Sequence, residues 1–150
     1  MRYERKYILE DKKLYITSSH LSFLGFYREY ATRKVNSIYY DTINFDLFNS
    51  SEAGYSHRSK IRIRWYDISE KQHLEYKIKE AELGKKDYRN DISIFNNLKK
   101  IHILDTSYKK IINRKIPNSI NSIFYPKVVV SYKRDYLLSA KNLTRLTKHY

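Results

Sequence analysis

Polar and apolar positions alternate most strictly at residues 58–66, where Arg58, Lys60, Arg62 and Arg64 stand at every second place with Ile61, Ile63 and Trp65 between them. Period-two alternation predicts a strand with one apolar and one cationic face. The pattern returns at 73–79, with Glu75, Lys77 and Lys79 opposite Leu74, Tyr76 and Ile78. It also returns at 2–9, where Arg2, Glu4 and Lys6 share a face, and at 127–138, where Val128, Val130, Tyr132, Arg134 and Tyr136 do. Further strands are predicted at 35–42 and 143–149. A helix is predicted at 11–23, entered at Asp11, and a short one near 45–50. The turn Glu52-Ala53-Gly54 leads into the cationic strand, and Gly84 to Arg89 reads as a loop. Ile92, Phe95, Leu98 and the Ile101/Ile103/Leu104 group suggest an outer helix, with a second piece at 106–113. Strands, a helical middle and strands again predict an α+β antiparallel sheet in a single domain, residues 1–150.

Neighbouring cations about 6.6 Å apart along a strand repel by roughly 2.5 kcal/mol at an effective dielectric of about 20. Some of the compensation can come from acidic residues such as Glu75, and the remainder implies a polyanionic ligand. Repeated Glu-x-Lys and Arg-x-Arg opposite large apolar residues favours a charged interior. The alternatives are a solvated outer face for the cations and a plain cross-strand salt-bridge set for Glu75 with Lys77.

Lys+Arg 30 against Asp+Glu 16 gives a net charge of +14, which favours anionic partners. An abundance of Ile, Lys, Asn and Tyr also follows from AT-rich coding, so the placement of the arginines says more than the total. No RNA-recognition, helix-turn-helix or zinc-finger pattern is present, leaving only nonspecific nucleic-acid binding to charge alone. The chain has no cysteine, so it has neither disulfides nor thiolate metal sites. His20, His57, His73, His102 and His149 lack metal-ligand spacing, and Gly84-Lys85-Lys86 is not a P-loop. No apolar run follows the first charges and none approaches a membrane span, so a soluble, cytoplasmic protein is expected. Asp41 reads either as a lumen group or as a turn former, and Tyr39, Tyr66 and Tyr132 as core aromatics or ligand contacts.

Six segments occur in one order: Arg-Tyr-Glu-Arg-Lys-Tyr at 2–7, Ser-Ile-Tyr-Tyr-Asp-Thr at 37–42, Lys-Ile-Arg-Ile-Arg-Trp-Tyr at 60–66, Leu-Glu-Tyr-Lys at 74–77, Pro-Lys-Val-Val-Val-Ser-Tyr-Lys-Arg at 126–134, and Thr-Arg-Leu-Thr at 144–147. In this order they resemble the VTC (vacuolar transporter chaperone) domain, the polyphosphate polymerase branch of the triphosphate tunnel metalloenzyme (CYTH-like) superfamily. The resemblance implies an antiparallel β-barrel with peripheral helices, a lumen lined by Arg, Lys and Glu, and transfer of the ATP γ-phosphate to polyphosphate. It gives Arg62, Arg64, Lys77 and Arg134 the central phosphate-handling roles. Lys6, Lys60, Arg58, Lys79, Arg145 and Tyr132 become further phosphate-binding groups. Glu4 and Glu75 become candidates to orient lysines or to hold Mg²⁺ or Mn²⁺.

Relatives continue past the point where this sequence stops, which implies an incomplete tunnel with open edges suited to self-association. The family's Arg-x-Thr-x-Asp pattern ends here in His149 instead of Asp. A triphosphate hydrolase and a non-catalytic polyanion binder are the competing readings.

Overall fold

The computed structural model describes residues 5–69, 72–80, 83–92, 112, 123–139, 141 and 144–150. Its elements are α1 (Asp11–Phe23), β1 (Phe26–Asp41), α2 (Asp46–Glu52), β2 (His57–Tyr66), β3 (Gln72–Glu80), β4 (Leu83–Ile92), β5 (Tyr125–Ser139) and β6 (Arg145–His149). The strands hydrogen-bond in the order β4-β3-β2-β1-β5-β6. Pairing is antiparallel at β1–β2, β2–β3, β3–β4 and β5–β6. This is the expected α+β antiparallel architecture, and the described strands form an open sheet, not a closed barrel.

Contacts divide the chain into two units, Lys34–Tyr132 and Met1–Arg33 with Lys133–Tyr150. In the first, register builds the core row by row. Ile38 faces Ile63, which faces Leu74, and Tyr40 faces Ile61, which faces Tyr76. Ile112 and Phe124 complete this buried cluster, with Leu47, Trp65 and Ile78 packed at its margin. The apolar residues of the alternating strands therefore occupy one face, and their charged neighbours must take the other.

Asp41 ends β1 as a turn former. Its Oδ1 accepts from the Thr42 and Leu47 amides at 2.7 and 2.9 Å, and its Oδ2 from the Phe48 amide at 2.9 Å. The Leu47 and Phe48 amides are among the orphan donors that open α2, so Asp41 caps the first turn of that helix from the end of β1.

In the second unit, Gly25 at φ +79° makes the turn from α1 into β1. Asp135 lies on β5 and Lys148 opposite it on β6. Lys148 Nζ donates to Ser18 Oγ at 2.7 Å, which ties α1 to the β5–β6 pair.

Four local expectations fare differently. Residues 5–10 are exposed and outside any strand, so the strand predicted at 2–9 is absent from its described part, and residues 1–4 lie outside the described residues. Alternation alone does not make a strand where no neighbour supplies a hydrogen-bond ladder. The loop predicted over Gly84 to Arg89 is the body of β4, held in register by the backbone of β3. β1 begins at Phe26, well before the predicted 35; its first half is largely exposed and carries no alternating signal from which a strand could be read. The outer helix predicted from Ile92 to Leu104 is corrected at its first residue, since Ile92 ends β4 on the ladder of β3; its remainder and most of 106–113 lie outside the described residues, although Ile112 is helical and buried.

Candidate functional site

Behind the apolar rows of the 34–132 unit, the opposite face carries charge in register. Tyr39, Arg62 and Glu75 form one row across β1, β2 and β3, and Ser37, Arg64 and His73 form the next. Arg62 Nε and Nη2 both reach Glu75 Oε2, at 2.6 and 2.5 Å, and Nη1 donates to the Tyr39 hydroxyl at 2.9 Å. The guanidinium also lies 5.7 Å from the Tyr39 ring centroid. Arg64 Nη1 reaches the other carboxylate oxygen, Glu75 Oε1, at 3.4 Å, and its Nε reaches Ser37 Oγ at 3.4 Å. One carboxylate thus bridges two guanidinium groups.

Burial within this row is uneven. Glu75 is 5% exposed and Arg64 6%, whereas the Arg62 side chain keeps 22%. Burial opposes the charge on Arg62, but Glu75 and Tyr39 outweigh it and hold its pKa above the ordinary guanidinium value. Arg62 is therefore the cation of this pair that meets solvent, while Arg64 neutralises Glu75 from behind.

Past this row β2 and β3 carry only basic residues on this face. Lys60 stands opposite Lys77, which stands opposite the position of Lys86, and Arg58 stands opposite Lys79. Lys60 and Lys77 are exposed, and Arg58 and Lys79 are half-buried. Arg58 Nη1 donates to the Tyr55 carbonyl at 2.8 Å. Like charges directly opposite destabilise a sheet, so this row gains from an anion laid across it.

The other predicted cations stand outside β2 and β3. Arg134 is half-buried on β5 with its guanidinium 5.8 Å from the Tyr136 ring centroid, opposite His149 in register. Arg145 on β6 pairs with Glu29 at 3.3 Å. Both belong to the unit made by Met1–Arg33 and Lys133–Tyr150, while Tyr132, half-buried on β5, belongs to the first unit. Lys6 is exposed and outside any strand, and Glu4 lies outside the described residues.

Glu75 was expected to orient lysines or hold a divalent ion, but both of its oxygens are taken by arginines. Among the described residues no three acidic or histidine side chains come together as a metal cluster. The described donors therefore do not fit a divalent cation.

Sequence reasoning missed the hub of the second unit. Asp135, 5% exposed, accepts from Thr32 Oγ1 and from the Tyr150 hydroxyl, both at 2.5 Å, and Arg28 approaches at 3.7 Å. Its only signal was a lone acid of opposite parity to Arg134. Burial would raise its pKa, but the hydrogen bonds from Thr32 and Tyr150 and the charges of Arg28 and Lys148 outweigh burial and lower it. A lowered carboxylate pKa contributes stability that is complete above about pH 4, the unfolded value, and is lost as pH falls through the folded value. Asp135→Asn is accordingly expected to be less stable than wild type at pH 7, with the difference closing below about pH 4. Urea midpoints measured across that range check it, and a gap that stayed constant with pH would remove the carboxylate from the account.

The 34–132 unit thus sets a charged ladder, buried only at Arg64 and Glu75, on one face of an antiparallel sheet and an apolar core on the other. The sequence profile of the VTC domain matches residues 1–147. The chain belongs to the VTC-domain family. That membership implies, in general terms, a polyphosphate polymerase-related function. No curated protein matches the chain. No helix among the described residues of this VTC-domain chain is long and apolar enough to cross a membrane.

Proposed function

We propose that the charged face of β2 and β3 binds the phosphate chain of ATP and of polyphosphate, and that the chain transfers the ATP γ-phosphoryl group onto polyphosphate. The observation that supports this most directly is the graded face itself: a carboxylate-braced guanidinium pair runs into exposed Lys60 and Lys77, with only basic residues beyond the pair on that face of β2 and β3. Arg62 offers a planar fork to two phosphate oxygens, and Lys60 and Lys77 act as point charges along the chain.

In the proposed step a terminal oxygen of polyphosphate attacks the γ-phosphorus. The bond to the β–γ bridging oxygen breaks, ADP leaves with the electron pair, and the polymer lengthens by one phosphate. Charge spreads over the transferring oxygens, so fixed cations supply most of what such a reaction needs from a protein. Arg134 and Arg145 enter this reading through the family resemblance alone.

Incubation of the purified chain with ATP, with and without Mn²⁺, followed by gel resolution of the products tests the proposal. Long phosphate chains together with ADP are the expected result. ADP with free phosphate would make the protein a hydrolase, and binding without turnover would make it a polyanion receptor.

A further inference from the structure

The bridging carboxylate has a chemical consequence beyond holding the sheet together. Glu75 directs its two oxygens at the two guanidinium groups, and a carboxylate and a phosphate compete for the same N–H donors. With Glu75 ionised, the three groups carry a net charge of +1; without it they would carry +2.

We propose that Glu75 is a resident counter-anion, a positioning residue that holds Arg62 and Arg64 in receiving geometry in the ligand-free protein and weakens their grip on a phosphate chain, and that it is not a metal ligand. The inference rests on the phosphate-binding reading of this face and adds to it how affinity is set. Arg64 is too buried to be screened by water, so its charge needs Glu75 when no ligand is present. Arg62 is held at three donors but remains partly open, which leaves its outward N–H groups for the incoming anion. A polymer that must advance through a site benefits from cations already partly neutralised, because full pairing with the phosphates would slow release. Both consequences follow from one negative charge a few ångströms from the ligand position.

The test compares wild type with Glu75→Gln, using inorganic tripolyphosphate by calorimetry, thermal unfolding with and without it, and Mn²⁺ by electron paramagnetic resonance. The variant is expected to melt lower when free, to bind tripolyphosphate about tenfold more tightly, and to gain more from it in Tm than wild type does. Mn²⁺ binding is expected to stay within about twofold of wild type. A purely structural Glu75 would lower Tm without tightening binding. Equal or weaker binding by a folded variant, with wild type still binding, overturns the counter-anion role and leaves the phosphate-binding reading standing. Loss of Mn²⁺ binding overturns it in favour of a metal ligand. Absence of tripolyphosphate binding by wild type defeats the functional reading and this inference with it. Should Glu75→Gln not fold, Glu75→Asp keeps the charge and is expected to bind within about threefold of wild type, whereas tenfold tightening there would also overturn the inference.

Discussion

Replacing Ile63 with alanine is expected to remove about 3 to 4 kcal/mol of stability, one of the two largest effects foreseen for a single change in this chain. Ile63 is 1% exposed and sits between Ile38 on β1 and Leu74 on β3, at the middle of the core row. Truncation loses the transfer free energy of three carbons and leaves a cavity whose walls are strands fixed by their own ladders, so little collapse is available. Domains of this size hold only about 5 to 15 kcal/mol in total, so the urea midpoint should fall steeply with the slope unchanged. Ile68→Ala is the control, since that side chain is 97% exposed and should change stability by less than about 0.5 kcal/mol. A small effect at Ile63 would mean that the two faces of β2 are not partitioned as described.

How legible such positions are in the sequence depends on what fixes each element. β2 and β3 announce themselves because burial on one face and charge on the other force strict alternation, and both strands end within one residue of their predicted limits. β4 is invisible to the same reasoning. Its Gly84-Lys85-Lys86-Asp87 segment resembles a loop by composition, and it is a strand because β3 offers a free ladder of backbone groups that no side-chain pattern encodes. The converse error at 2–9 has the same root, since the alternation of Arg2, Glu4 and Lys6 lacks a described partner there. Within the site, parity placed Arg62, Arg64, Glu75, Lys60 and Lys77 on one face. It could not rank them by depth, because depth comes from what packs beyond the strand. Tyr39 was legible only as a core aromatic or a ligand contact, and nothing in the sequence pointed to its hydroxyl as an acceptor for Arg62.

Depth changes what mutation of the arginines should do. An apolar face left untouched would suggest that Arg62 and Arg64 can be removed without cost to the fold, yet Arg64 is as buried as the carboxylate it pairs with. Arg64→Ala removes that counter-charge and opens a void beside Ser37, so it is expected to destabilise by about 3 kcal/mol, at the low end for a broken buried pair because Arg62 still holds Glu75. Arg58→Ala, whose guanidinium reaches only a backbone carbonyl near the surface, should cost less than about 0.5 kcal/mol. Coupling decides whether the cost belongs to the ion pair. Combining Arg64→Ala with Glu75→Gln should cost less than the sum of the single changes by about 1 to 2 kcal/mol, since the second change removes the charge that the first left underpaired. Strict additivity in that cycle, read from denaturant midpoints, would show that Arg64 acts through volume alone. The 3.4 Å contact between Arg64 and Glu75 would then be proximity without a stabilising interaction.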